Sequence, residues 1–367
     1  MMLKPVNVAI LSCNHGHAPG YYSLKKDPMF RLVGVTVKPE AHGDVRIKNL
    51  DDVPQYATEE ELYDAHPELE AVIIASDNAS HFEQLRGAVK RGLHIFSMKV
   101  PTFNMEEYEE MIRLTEEAGV VCQVELEMRH HAPVHRIKEA IEAGEIGELL
   151  SINAVNYSHN PVWWRPWQAN PEASYGSRVE LRPGDDRFRG GALADHPHLF
   201  DIIRYITGSE FEKVYADISP NIREGVETED MIRVMGRLEN GVTYSIDPSY
   251  ANNEEHVNLM VGMDWNLYPR CVEVFMTAVG TEGVIVADLY GKTVCQQRKS
   301  TGKYAVSGPG SSGLWNRRME EFYHCIRDGV KPTVGLRDHY NSILAMNAAY
   351  ESVAKGEAIT LTGGNTK

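Results

Sequence analysis

The sequence predicts an α/β protein: a doubly wound parallel sheet in its first third, then an α+β domain on a large, open, mostly antiparallel sheet. Two observations carry that expectation. From Val6 to Glu125 short apolar runs alternate with helix-length amphipathic segments, the pattern of βαβ units. Beyond Gly147 strand-like runs follow one another with turn signals between them, Asn240-Gly241 being the clearest. The expected domains are residues 1–125 and 126–367.

Val6–Leu11 reads as a buried parallel strand, followed by a short loop, a helix from about His17 to Lys26 and a strand at Arg31–Val37. Ala71–Ser76 precedes a helix of about Ser80–Arg91 that stops at Gly92. Strand His94–Met98, helix Met105–Ala118 stopped by Gly119, and strand Val120–Glu125 complete the alternation. A helix at about Pro133–Ala143 opens the second domain. Its strands are expected at Leu150–Ser158, Glu212–Ser219, Met231–Leu238, Val242–Pro248, His256–Met263, Cys271–Ala278, Gly283–Ala287 and Thr293–Arg298. Asn240-Gly241 reads as a two-residue hairpin turn. Trp315–Asp328 and Asp338–Lys355 are amphipathic helices expected to pack back toward the first domain.

Composition narrows the function classes. The chain has 367 residues, 43% apolar and 24% charged, and no run approaches the ~20 apolar residues of a membrane span. Met1-Met2-Leu3-Lys4-Pro5 leads directly into a strand without signal-peptide architecture. Cys13, Cys122, Cys271, Cys295 and Cys325 are odd in number and form no C-x-x-C pair. Reduced thiols in a cytoplasmic protein are expected, not a disulfide framework or zinc knuckle. A formal charge of −15 argues against nucleic-acid binding.

Ligands on a doubly wound sheet sit at the carboxyl ends of its strands, so three loops matter: Ser12–His17, Ser76–His81 and Met98–Pro101. In the first, the glycine positions of a G-x-G-x-x-G phosphate loop hold Ser12, Asn14 and His17, with His15 between and Gly16 one place early. Small polar residues and free N–H groups at a helix start can still hold pyrophosphate. After the second strand, Lys38 suits a 2′-phosphate, whereas Glu40 or Asp44 suits a ribose. The second loop gives Ser76-x-Asn78-x-x-His81, and the third puts Lys99 at a strand end facing the cleft.

A later stretch centres on Gly190-Gly191-Ala192-Leu193-Ala194-Asp195-His196-Pro197-His198, with Asp201 following. Leu199, Ile202, Ile203 and Ile206 recur at helical spacing, with Asp195 as N-cap, Pro197 in the first turn and Gly208 at the end. Asp195, His198 and Asp201 then share one side of a helix start, where a carboxylate-oriented His can serve as general base.

These motifs, in this order, resemble the Gfo/Idh/MocA family of nicotinamide-dependent oxidoreductases, whose glucose-fructose oxidoreductase and inositol dehydrogenase branches share the pattern. The Gly-loop start, the T-P-N-x-x-H-like third loop, the E-K-P region around Lys99, Gly144-Glu145-Ile146-Gly147, the G-G…D…H-x-x-D stretch and Gly280-Thr281-Glu282-Gly283 span nearly the whole chain. Departures are Ser12 and Asn14 for glycines, Met98 for the glutamate, Val100 inserted before Pro101, and a shortened Asp195–His198 spacing. The resemblance implies an N-terminal Rossmann domain, NAD or NADP as cofactor with NAD favoured, and a homodimer or homotetramer formed through the C-terminal sheet. It implies Lys99 and His198 as catalytic residues, Asp195 or Asp201 orienting the His, and Ser12, Asn14, His15, Gly16, His17, Lys38, Ser76, Asn78, His81 and Lys99 around the cofactor.

Between the first strand of the second domain and this stretch stand Trp163, Trp164, Arg165 and Trp167, which suit a sugar face and an anionic group. Tyr157 and His159 are further substrate-side candidates. His196 and His198, with Asp195 or Glu127, are spaced for a strand-borne metal site, but a helix splays them, and no metal is expected. The expected activity is oxidation of a secondary hydroxyl of a sugar, cyclic polyol or anionic sugar derivative, His198 being the base and Lys99 assisting. Alternatives are a redox-neutral enzyme that oxidises a sugar transiently with tightly bound NAD, such as a glycosidase or isomerase, and a catalytically silent cofactor sensor.

Overall fold

The computed structural model describes residues 4–13, 15, 17–37, 50–76, 78–158, 191–221, 229–249, 272–290, 293–299, 302–307 and 314–361. Asn14, Gly16, Lys38, Glu40, Asp44, His159, Trp163, Trp164, Arg165, Trp167 and the strand expected at His256–Met263 lie outside them. The described residues divide into two compact units, one drawn from Met1–Glu125 and Trp315–His339, the other from Leu126–Pro161, Gly190–Leu314 and Tyr340–Lys367.

The first unit carries strands β1 (Val6–Leu11), β2 (Phe30–Thr36), β3 (Gln55–Tyr56), β4 (Ala71–Ile74), β5 (His94–Ser97) and β6 (Cys122–Val124) in the order β3-β2-β1-β4-β5-β6. Every pairing is parallel. This is the doubly wound arrangement that binds dinucleotides where the strand order reverses, beside β1. A 3₁₀ helix, Ala18–Lys26, follows β1, and helices α1 (Glu59–Ala65), α2 (Asn78–Val89) and α3 (Met105–Ala118) make the later crossovers. Val6, Val8 and Ile10 bury against Tyr21, Leu24, Phe30, Ile73 and Phe96, and Met319, Phe322 and Tyr323 close the same core. The expected α-helix at His17–Lys26 is thus a 3₁₀ helix, with Pro19 in its first turn.

In the second unit α4 (Ala132–Glu142) leads to β7 (Leu149–Ser158). Short helix α5 (Ala192–Asp195), α6 (His198–Thr207), β8 (Phe211–Ile218), β9 (Ile232–Leu238), β10 (Thr243–Ser249), β11 (Val272–Gly280), β12 (Gly283–Asp288), β13 (Thr293–Arg298) and β14 (Gly302–Ser307) follow. Helix α7 (Leu314–Asp328) supplies the aromatic residues that close the first core, and α8 (Leu336–Lys355) and β15 (Ile359–Thr360) end the fold. The sheet runs β14-β13-β12-β11-β7-β10-β9-β8-β15. All its pairings are antiparallel except β10 with β7. The β9–β10 turn has three residues, not two: Leu238 N–H donates to Val242 O (2.8 Å), and Gly241 takes φ +88°.

Register places Tyr215, Met235, Ser245, Asn153, Thr277 and Val286 in one row across five of these strands and β12. Met235 is 44% and Val286 41% exposed, whereas Ile152, Ala154, Val234 and Ile285, on the opposite face, are buried. Among the described residues, no helix is long and apolar enough to cross a membrane.

Candidate active site

In the first unit the candidate residues gather at the carboxyl ends of β1, β4 and β5. Ser12 stands at φ +70°, a backbone conformation that favours glycine, and its N–H donates to Thr36 Oγ1 at the end of β2 (2.8 Å). The residue therefore occupies a glycine position in geometry as well as in spacing. His15 N–H donates to Ala75 O (2.9 Å), which ties the loop to the end of β4. Burial, reinforced by His17 and Lys99, holds the His15 imidazole well below its usual range, so the ring is neutral. Its Nδ1 accepts from His17 N–H (3.1 Å).

His17 turns toward Glu125, which follows β6: its Nδ1 lies 3.0 Å from Oε1. Tyr21 Oη donates to the same oxygen (3.2 Å), and Arg318 of α7 pairs with it. Burial opposes ionisation of Glu125, but His17 and Arg318 together hold its carboxyl well below the carboxylate range. Of the expected phosphate-loop residues, His17 is thus anchored to a buried carboxylate.

Ser12 and Ser76 line one cavity of about 280 Å³, with Thr36, Ala57, Thr58, Glu59, Glu60, Ser80 and Gln84 as its other walls. Ser76 Oγ donates to Gln84 Oε1 (2.7 Å), and Gln84 Nε2 donates to Glu59 Oε1 (2.7 Å). Asn78 opens α2 in a buried position, and its Nδ2 has no hydrogen-bond partner among the described residues. His81 Nδ1 lies 2.9 Å from Val100 O and Nε2 3.3 Å from Ser76 O, bridging the loops that follow β4 and β5. Lys99 sits beside that bridge, 3% exposed, joined to Val100 by a cis peptide. A glycine-type turn, a polar cavity beside β1 and an orphaned buried amide donor fit a dinucleotide at this edge.

In the second unit the His-bearing stretch departs from the expected single helix. Helix α5 ends at Asp195, His196 N–H closes back on Leu193 O (3.1 Å), and α6 begins at His198 with Pro197 as N-cap. Pro197 has no N–H to continue the ladder, so the chain breaks there and restarts. Asp195 is therefore the last residue of α5, not the N-cap of the helix that carries His198. The turn before α5 is gripped by Glu229: its backbone O accepts from Ala192 N–H (3.0 Å), and Oε1 accepts from Leu193 N–H (3.0 Å) and Tyr350 Oη (3.0 Å). Gly191 is obligatory in that grip. It has φ +125°, and a Cβ there would stand 2.3 Å from Glu229 Oε2. Burial pushes the Glu229 carboxyl up to about 7 despite these donors.

His198 is buried, with Nε2 3.4 Å from Glu127 Oε1. Asp201, one turn on, is gripped by Arg129, whose Nε donates to Oδ2 (2.9 Å) and whose second nitrogen meets Oδ1. Asn156 Nδ2 donates to His196 Nδ1 (3.0 Å). Tyr157 Oη donates to Asp247 Oδ2 (3.2 Å), which also pairs with Arg233. Lys99 belongs to the first unit, and Asp195, His198, Asp201 and Tyr157 to the second.

The sequence reading missed Arg129, Glu229, Glu125 with Arg318, and Glu59 with Gln84, and it considered Glu127 only as a metal ligand. For Glu125, Glu127 and Arg129 a signal was available: Glu125-Leu126-Glu127-Met128-Arg129 directly follows a parallel strand, where such sheets place functional groups.

Comparison with known proteins agrees with this fold. Residues 24–126 match an oxidoreductase family with an NAD-binding Rossmann fold, and residues 134–286 match the GFO/IDH/MocA C-terminal domain. The chain is 29% identical over 227 residues to "Uncharacterized oxidoreductase YrbE" of Bacillus subtilis, the match spanning 60% of this chain and 56% of that protein. It is 26% identical over 341 residues to myo-inositol 2-dehydrogenase of Thermotoga maritima, covering 88% of this chain and 90% of the relative. The fold is shared with levoglucosan dehydrogenase, solved with NADH and levoglucosan, at a TM-score of 0.78 and 21% identity over 97% of this chain and 99% of that one.

Proposed function

The chain belongs to the Gfo/Idh/MocA family of oxidoreductases, and from that membership we propose that it is an NAD(P)-dependent dehydrogenase oxidising a secondary hydroxyl of a sugar, cyclic polyol or related sugar derivative. Relatives named for myo-inositol and levoglucosan support that substrate class. The observation that carries the reading is the setting of His198, buried at the start of α6 with a carboxylate 3.4 Å from its Nε2. A carboxylate there fixes the ring and offsets the positive charge it gains on taking a proton.

The nicotinamide, when bound, supplies the hydride acceptor. His198 takes the hydroxyl proton as the carbinol carbon is oxidised, and Glu127 holds its ring. Lys99 stabilises the negative charge that develops on the substrate oxygen. Ser12, His15, Ser76, Asn78 and His81 form the cofactor edge. The open sheet face bearing Tyr215, Met235 and Val286 is assigned to a second copy of the chain, which light scattering checks.

The test is a screen of sugars and polyols for net formation of reduced nucleotide, repeated with Lys99→Met. Turnover is expected to disappear in the variant while nucleotide affinity stays within a few-fold. Retained turnover removes Lys99 from the mechanism, and wild-type turnover without accumulation of reduced nucleotide replaces the dehydrogenase with a redox-neutral enzyme.

A further inference from the structure

We infer that Glu59 selects NAD over NADP by standing where a 2′-phosphate would have to lie. The inference rests on the family reading, which brings a nicotinamide dinucleotide to the first unit, and adds which nucleotide the pocket admits.

On a doubly wound sheet the adenosine ribose lies near the carboxyl end of the second strand, where an acidic side chain accepts from its hydroxyls or a basic one meets a 2′-phosphate. Thr36 is the last residue of β2, and it shares its cavity with Ser12, the residue after β1. The side of that cavity supplied by α1 carries two carboxylates, Glu59 and Glu60. Among the described residues lining it there is no lysine or arginine. A 2′-phosphate brings close to two negative charges at neutral pH, and like charges held a few ångströms apart repel strongly where water is partly excluded.

Glu59 and Glu60 are not equivalent. Glu60 is exposed, so solvent screens its charge. Glu59 is half-buried and fixed by a relay that starts in the buried loop after β4: Ser76 Oγ donates to Gln84, and the Gln84 amide donates to Glu59 Oε1. Ser76 and Gln84 are buried, and the amide's orientation is determined because its oxygen accepts and its nitrogen donates. A carboxylate held this way accepts from ribose hydroxyls without the cost of being ordered first, and it cannot swing away from a phosphate.

The experiment is calorimetric titration of the purified protein with NADH and with NADPH, for the wild type, Glu59→Gln and Glu60→Gln, each checked for an unchanged melting temperature. The wild type is expected to bind NADH at least about tenfold more tightly than NADPH. Glu59→Gln is expected to reduce that ratio roughly tenfold, mainly through tighter NADPH binding, and Glu60→Gln by less than about threefold. A wild type that prefers NADPH, or an unchanged ratio in Glu59→Gln, overturns the assignment while leaving the dehydrogenase reading intact. Binding of neither nucleotide overturns both.

Discussion

Arg129 closes on both carboxylate oxygens of Asp201, and both side chains are buried. The pair joins the turn at Glu127–His130 to α6, and so brings Glu127 alongside His198. A bidentate guanidinium–carboxylate contact is planar and directional, so it fixes the spacing of the two elements as well as their charge balance. Removing one partner leaves the other charged and buried, which costs about 3–5 kcal/mol. Asp201→Asn is therefore expected to lower unfolding stability in urea by that amount. The double replacement Arg129→Met with Asp201→Leu is expected to recover most of it, and a full loss in the double variant would show that the contact is not an isolated pair.

Glu127 gives a prediction of a different kind, because its Oε1 lies 3.4 Å from His198 Nε2 and its proposed role is toward that ring. Glu127→Gln keeps the side-chain shape and removes the charge. Turnover is expected to fall at least about tenfold, equivalent to 1.4 kcal/mol of transition-state stabilisation, while nucleotide affinity and melting temperature change little. Glu127→Asp should restore part of the rate. Equal turnover in wild type and Glu127→Gln would leave His198 without this carboxylate in its chemistry.

The difference between those carboxylates also marks how far the sequence could be read. Apolar periodicity is a property of neighbouring residues, so β1, β2, β4, β5, α3 and most strands of the second sheet were legible within a residue or two. Elements with little apolar signal were not. Strand β3 is two residues long, and α1 is a seven-residue, acidic helix burying only Leu62 and Tyr63. The single helix expected from Asp195 onward failed because Pro197 breaks the hydrogen-bond ladder, a local effect outweighed in the reading by the apolar spacing beyond it. Lys99, His198 and Asp201 were singled out as candidates through motif order. Partner choice was not: Arg129 meets Asp201 across 72 residues and Arg318 meets Glu125 across 193. Such pairings are set by topology, and nothing in the local sequence records them.

Ser12 carries its own test of the phosphate-loop geometry. A non-glycine residue in left-handed backbone costs roughly 1–2 kcal/mol, partly recovered through the smaller entropy of its unfolded chain. Ser12→Gly is expected to raise stability by about 1 kcal/mol and to keep the N–H bond to Thr36. A β-branched replacement, Ser12→Val, should destabilise and weaken nucleotide binding. Urea denaturation and nucleotide titration of both variants check this, and a destabilised Ser12→Gly would mean that the hydroxyl contributes more than the backbone strain removes.

Glu229 makes stability depend on pH in a defined direction. In the folded protein burial raises its carboxyl from 4.5 to about 7, so the native state holds a proton that the unfolded chain releases earlier. Between those values the folded state binds more protons, and unfolding free energy falls as pH rises. The contribution is complete below about pH 4.5 and lost by about pH 7, amounting to about 3 kcal/mol. Glu229→Gln is expected to remove this slope, since the neutral amide can still accept from Leu193 N–H and Tyr350 Oη. Gly191→Ala, by contrast, drives a methyl into the carboxylate at a φ that alanine resists, and should destabilise at every pH. Denaturant titrations of the three proteins from pH 4.5 to 8 distinguish the effects. A slope that survives in Glu229→Gln would have to come from another buried group.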